Sequence, residues 1–351
     1  SVGTPDFRPP EHVMKAVAES VNNAEDYKYS LVDSEEMLNA VVDYYADRYN
    51  AVIKADEITA VRGTQEGMAH LGMAILNPGD VVLLPDPGYP VFEAGSYLGG
   101  AEVYYYPLLR ENNFLPVIED IPEDVLNKTK YIVLSYPSNP VGASAPKEMY
   151  VRMIEYAKKY NFAIINDNAY SDIIFDGREG FSFLSLPGAK DVGVEFFSLS
   201  KSYNVTGLRI SFCIGNKSII DAFKLLRSQY DFGMSYPAQK AAIAALRGPR
   251  DSVKAQCAEY QRRRDALLNG LRKYGWNVPD SHGTMFVWLP VPEGYTSASF
   301  TEALMDKAGV IGTPGTAFGP LGEGYIRFAL TKSAEELAVI ADVIGQSGVL
   351  S

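Results

Sequence analysis

Lys201 stands in the run Leu199-Ser200-Lys201-Ser202, directly after the apolar stretch Val194–Ser198. An amine flanked by small hydroxyls at a strand end makes a poor surface lysine. It is a candidate for Schiff-base formation, which needs a lowered pKa. Two more apolar stretches end in polar groups. Phe162–Asn166 runs into Asp167, Asn168, Ala169 and Tyr170, and Tyr131–Ser135 runs into Tyr136, Pro137, Ser138, Asn139 and Pro140. Ligands of open α/β sheets bind beyond the carboxyl ends of strands, so an acid, an amine and an amide are expected to meet there. A phosphate has a place too. Gly63-Thr64-Gln65-Glu66-Gly67 follows a strand-like run and opens a helical one, where free N–H groups and the helix dipole favour an anion. Ser198 offers a hydroxyl three residues before Lys201, and Arg209, eight residues after it, can make a bidentate contact. Each signal alone is weak, since a glycine-rich turn is usually only a turn. Their convergence carries the reading.

These groups need a scaffold. Strand-like runs occur at Ile58–Val61, Val81–Leu84, Glu102–Tyr106, Tyr131–Ser135, Phe162–Asn166, Val194–Ser198 and Leu208–Ile214. Several are apolar end to end, as a sheet covered on both faces requires. Helical stretches such as Glu66–Leu76 and Lys147–Tyr160 separate many of them. Asp33 with Glu36 reads as a capping box opening a helix that has Met37, Val41, Tyr44 and Tyr45 on one face. The expected fold is α/β, with a large domain built on a mostly parallel seven-stranded sheet flanked by helices. After Gly248-Pro249 the rhythm changes. A helix over Asp251–Lys273, a strand Thr284–Leu289, a helix, a strand Tyr325–Leu330 and a last helix from Ala334 suggest a smaller α+β domain. The expected division is 27–249 for the large domain and 1–26 with 250–351 for the small one.

Composition narrows the function. The 351 residues carry 32 Lys+Arg against 43 Asp+Glu, a net charge of -11, with 47% hydrophobic and 21% charged residues. That supports a sizeable core and excludes disorder. The acidic balance disfavours nucleic acid, and the basic run Arg262-Arg263-Arg264 reads as a solvated helix face. Cys213 and Cys257 cannot staple a chain of this length. No apolar run approaches the ~20 residues of a membrane span. The chain starts at Ser1 without a signal-peptide pattern, so a reducing cytoplasm is expected. The N-x-S/T triplets at Asn127, Asn204 and Asn216 are read as chance. His12, His70 and His282 are scattered, which leaves no metal site in prospect. Dinucleotide, P-loop and nucleophile-elbow fingerprints are absent from the sequence.

The stretch Ser198-Leu-Ser-Lys201-Ser-Tyr-Asn-Val-Thr-Gly207-Leu-Arg209 resembles the lysine signature of class I/II pyridoxal-phosphate aminotransferases of fold type I. Further segments resemble that family in order: Ser1-Val-Gly3-Thr-Pro-Asp-Phe, Pro85-Asp-Pro-Gly-Tyr89-Pro, Tyr136-Pro-Ser-Asn139-Pro, Asn166-Asp167-Asn-Ala-Tyr170, Pro314-Gly-Thr-Ala-Phe-Gly319 and Gly322-Glu-Gly-Tyr-Ile-Arg327. The nearest subgroup is the aspartate and LL-diaminopimelate aminotransferase-like enzymes. The resemblance implies that pyridoxal 5′-phosphate is held by Lys201 as an internal aldimine and that Lys201 then shuttles the substrate's Cα proton. Asp167 would pair with the ring nitrogen, and Tyr170 and Asn139 with the ring oxygen. Tyr89 would stack on the ring. Gly63, Thr64, Gln65, Ser198 and Arg209 would cradle the phosphate. Arg327, helped by the Gly3 backbone and Asn139, would bind the substrate carboxylate. Tyr29 would reach the neighbouring subunit's phosphate, implying a homodimer with shared active sites. Starting inside a motif, the chain is expected to have had an N-terminal arm before it. The implied reaction moves an amino group between an L-amino acid and a 2-oxo acid by ping-pong. A C–S β-lyase on the same fold is the alternative, and a non-catalytic ligand sensor is a more distant one.

Overall fold

A computed structural model of the chain describes residues 3–229 and 231–350, so Ser1 and Val2 of the first motif lie outside the described residues. Seven strands form the larger sheet: β1 (Ile58–Val61), β2 (Val81–Asp86), β3 (Glu102–Pro107), β4 (Thr129–Ser135), β5 (Ala163–Asn168), β6 (Gly193–Ser198) and β7 (Ser211–Gly215). Their order is β1-β7-β6-β5-β4-β2-β3. The pairs from β6 to β3 are parallel, and β7 runs antiparallel to both of its neighbours. Most apolar runs are interior strands, because both faces of a parallel sheet lie under helices; Ile58–Val61 is the exception, a buried strand at the sheet's edge. β3, at the edge, is mostly exposed or half-buried, with Tyr106 its one buried residue. A smaller antiparallel sheet holds β8 (Phe286–Pro290), β9 (Thr313–Pro314) and β10 (Tyr325–Ala329), in the order β8-β10-β9.

Three helices come early in the chain: α1 (Glu11–Val21), α2 (Glu35–Tyr49) and α3 (Thr64–Ile75). α2 is capped by Ser34, one residue later than expected; its hydroxyl accepts from the Met37 N–H. Asp33 instead accepts from the Ala60 N–H at 2.8 Å. β1 pairs only with β7, so its outward N–H groups need partners from elsewhere, and Asp33 supplies one.

Two other expectations are corrected. Arg263 and Arg264 are buried rather than solvated. Arg263 bonds Asp6 through two nitrogens, and Arg264 reaches Asp176 and the Ser281 carbonyl. The long helix Asp251–Lys273 uses this face to tie the two sheets' surroundings together, and only Arg262 faces water. The N-terminal segment also divides. Phe7 packs with the small-sheet core, whereas α1 lies against the helix Tyr236–Arg247 and sends Val13 and Val17 into the large-sheet core. The i, i+4 spacing of these valines gives α1 one apolar stripe, and that stripe sits on the large-sheet side instead of on the small domain.

Candidate active site

β4, β5 and β6 lie side by side and point the same way, so their carboxyl ends open on one cavity of about 440 Å3. Of the residues singled out in the sequence, Gly3, Gly63, Thr64, Gln65, Tyr89, Asn139, Asp167, Tyr170, Ser198, Lys201, Arg209 and Arg327 all line it. Tyr29 does not; it is 78% exposed and packs edge-on against Phe232.

Lys201 sits in the single turn Leu199–Ser202, which Ser198 caps by accepting from the Ser200 N–H. Gln256 donates to the Lys201 carbonyl and pins the turn from the long helix. The Lys201 ammonium donates to the Gly3 carbonyl at 2.6 Å. Burial pulls its pKa down to about 8, with Arg209 and Arg327 adding repulsion. Among the described lining residues, Asp167 is the only carboxylate. Burial pushes its pKa up to about 7, and the Glu195 carboxylate behind it adds to the rise. Its Oδ1 is buried with no hydrogen-bond partner. Tyr170 and Tyr89 have raised pKa values, chiefly by burial and then by the Asp167 charge, so both phenols stay protonated donors.

The opposite wall belongs to the small sheet. Arg327, in the middle of β10, donates to the Asn139 side-chain oxygen at 2.8 Å. Its guanidinium lies 4.0 Å from the Phe286 ring centre and 4.5 Å from that of Phe318, a cation held by aromatic faces. Burial lowers its pKa to about 10.

The groups present fit a phosphorylated pyridine. Gly63 caps α3 at φ 93, with no side chain capping the helix, so the first-turn N–H groups are open to an anion. A Cβ on Gly63 would fall 1.9 Å from an Arg209 guanidinium nitrogen, so only glycine lets that cation close over the turn. Arg209 itself adopts φ 56, which is why the strand expected from Leu208 begins only at Ser211. At the other end, the orphaned Asp167 oxygen is matched to an N–H donor such as a protonated ring nitrogen.

Thr4, Ala169, Ser200, Thr206 and Phe286 also line the cavity, and the sequence alone did not single them out. Ser200 and Thr206 lie within the lysine signature itself, and their hydroxyls were the available signal. Phe286 offers no such signal, because one phenylalanine in an apolar strand looks like core.

A family model described as aminotransferase class I and II matches residues 1–344. The LL-diaminopimelate aminotransferase of Dehalococcoides mccartyi is 44% identical over 339 residues, covering 96% of this chain and 87% of that protein. The Aquifex aeolicus LL-diaminopimelate aminotransferase is 41% identical over 345 residues, with 98% and 89% covered. Among solved structures, substrate-bound BacF of Bacillus subtilis superposes with a TM-score of 0.96 at 34% identity, covering 99% of this chain and 89% of that one. A probable N-succinyldiaminopimelate aminotransferase of Thermus thermophilus gives 0.94 at 33% identity, with 99% and 94% covered.

Proposed function

We propose, for a chain that belongs to the class I and II aminotransferases and is therefore a pyridoxal-phosphate enzyme exchanging amino groups between amino acids and 2-oxo acids, that the reaction runs on the Lys201–Asp167–Arg327 constellation with LL-diaminopimelate as amino donor. One observation carries this reading: a burial-depressed lysine and a burial-raised aspartate face one cavity whose far wall holds a buried arginine.

Pyridoxal 5′-phosphate, when bound, supplies the aldehyde that takes the amino group and a ring that withdraws electrons from the substrate's Cα. This chain's own residues do the rest. Arg209, Ser198, Thr64, Gln65 and the turn at Gly63 would hold the phosphate against the start of α3. Asp167 would hold the proton on the ring nitrogen, and Tyr89 would cover the ring face. Tyr170 would donate its hydroxyl to the ring oxygen. Asn139 would donate its amide to the same atom while its side-chain oxygen accepts from Arg327, linking the cofactor and substrate ends. Arg327 would bind the α-carboxylate bidentately. Lys201, with its pKa drawn down to about 8, would be neutral often enough at physiological pH to take the substrate's Cα proton and hold it on its amine for return. The substrate would thus bridge two lobes, and closing the cleft would exclude water and strengthen the Arg327–carboxylate pair.

The donor assignment is supported by the relatives of 41–44% identity that bear the LL-diaminopimelate name. A homodimer with Tyr29 reaching the partner's phosphate completes the proposal. Its support is the exposed apolar strip Tyr27, Tyr29, Leu31 and Val32 beside Phe232, which a second copy would cover. A cytoplasmic setting agrees with two unpaired cysteines. No helix among the described residues is long and apolar enough to cross a membrane.

The test is a panel of amino donors offered to the purified holoenzyme with 2-oxoglutarate. LL-diaminopimelate should give the highest kcat/KM. Preference for another donor would overturn the substrate assignment. Release of pyruvate and ammonia from a β-substituted amino acid without any acceptor would favour the lyase.

A further inference from the structure

Glu195 is a fully buried acid with no part in the amino-transfer steps assigned to the cavity residues. It lies on β6, three residues before Ser198, with no exposed surface. No cation is hydrogen-bonded to it among the described residues. Neutral groups donate to it instead. Oε1 accepts from the Tyr45 hydroxyl at 2.8 Å and from Asn168 Nδ2 at 3.1 Å. Oε2 accepts from Asn166 Nδ2 at 2.9 Å and from the Phe183 N–H at 3.1 Å. Burial raises the Glu195 pKa, and the donors oppose that rise. A carboxylate ringed by donors on both oxygens is arranged as the ionised form, since a proton of its own would displace one of them.

The identity of two donors matters more than their number. Asn166 and Asn168 are the immediate neighbours of Asp167 on β5, and the register pairs Asn166 with Glu195 and Asp167 with Phe196. Strand alternation sends both asparagines to the face opposite Asp167. Glu195 therefore grips the side chains on either side of Asp167 from behind the sheet. Tyr150 locks Asn166 further through its side-chain oxygen at 2.9 Å. We propose that Glu195 is a positioning residue for amino transfer: its buried carboxylate clamps the two asparagines flanking Asp167, aims the Asp167 carboxyl at the cofactor ring nitrogen, and sets a second negative charge behind it. The inference rests on Asp167 facing that nitrogen, which belongs to the proposed function.

The charge effect has a definite sign. The ionisable groups facing Asp167 are Glu195 on β6, Tyr150 behind the sheet, Tyr89 and Tyr170 on the cavity walls, and the cations Lys201, Arg209 and Arg327 across the cavity. Of these, Glu195 is the only other carboxylate, and it holds the Asp167 pKa up. Removing its charge should let Asp167 ionise at lower pH. It should also make a protonated ring nitrogen less favourable.

The experiment compares Glu195→Gln with the parent enzyme. Pyridoxal 5′-phosphate affinity of the apoprotein is read by fluorescence from pH 5.5 to 8.5, and kcat and KM are read on the holoenzyme. The parent's affinity should fall below about pH 7 as Asp167 takes a proton. In Glu195→Gln that inflection should move down by about half a unit or more, while kcat falls roughly tenfold with KM for the amino acid unchanged. Asn168→Ala keeps the charge and removes one clamp, so it should lower kcat several-fold without moving the inflection. It also serves if Glu195→Gln fails to fold. An unmoved inflection in Glu195→Gln, or an unchanged kcat in Asn168→Ala, would overturn the proposal. The affinity profile needs no turnover, so an enzyme inactive on LL-diaminopimelate would refute the substrate assignment and leave this test standing.

Discussion

The large-sheet wall of the cavity presents its groups from the ends of β1, β2, β4, β5 and β6 and the turns that follow them, whereas the small-sheet wall presents Arg327 from the middle of β10 and Phe286 from the start of β8. On the first wall, short side chains and backbone N–H groups act at fixed positions, and the local backbone holds them: Ser198 caps the turn that carries Lys201, and Gly63 opens α3 with no side chain over its first turn. On the second, a long flexible side chain is fixed by partners outside its own strand, namely Phe286, Phe318 and Asn139. On the proposed roles, cofactor geometry would rest mainly on local backbone, and substrate geometry on packing around β10. The walls should fail differently. Damage to the first should cost the cofactor or the chemistry, and damage to the second should cost substrate affinity while the cofactor stays.

The sharpest break is Lys201→Ala. Transamination should fall by at least about 1,000-fold, and borohydride should no longer fix cofactor to the protein. A trapped label in this variant would place the reactive amine elsewhere. The unaltered apoprotein offers a milder check. Lys201 is nucleophilic only when neutral, so the rate of cofactor attachment should rise as pH passes upward through about 8.

Asp167→Asn should retain cofactor yet lose turnover on the order of 100-fold, because an amide cannot stabilise a protonated ring nitrogen. The same variant has a stability signature without cofactor. Asp167 titrates near 7 when folded against 3.8 when unfolded, so its burial cost is absent at pH 4 and complete above pH 7. The melting temperature of the Asn variant should therefore gain on the parent as pH rises from 4 to 7.5. Scanning calorimetry showing a constant difference would refute the burial argument.

Arg327→Lys tests the other wall. The charge survives, but the bidentate fork and the stacking between Phe286 and Phe318 are lost. We expect kcat/KM to fall about tenfold for every amino and oxo acid, equivalent to ~1.4 kcal/mol of transition-state binding, with cofactor affinity unchanged. A loss confined to dicarboxylic substrates would move Arg327 to the side-chain end. The smallest effect belongs to Tyr29→Phe. If Tyr29 completes the partner's phosphate cup, cofactor should bind a few-fold more weakly with KM unaltered; an unchanged dissociation constant would remove Tyr29 from the site.

The sequence alone determined the elements and the cofactor end. Apolar runs that need cover on both faces read as strands of a covered sheet, and the polar residues at their ends followed by simple adjacency, which is why Lys201, Asp167 and Asn139 were legible in the sequence. Tertiary structure decided what depends on contacts between distant segments. It buried Arg263 and Arg264, where a basic run looked solvated, by supplying Asp6 and Asp176. It moved the cap of α2 to Ser34 by engaging Asp33 with an edge strand. It sandwiched Arg327 between two rings, and it set Glu195 behind Asp167, where the sequence displays only an acid in an apolar run. In each case burying a charged group costs desolvation energy that partners from other segments of the chain offset, and strand periodicity carries no record of which partners those are.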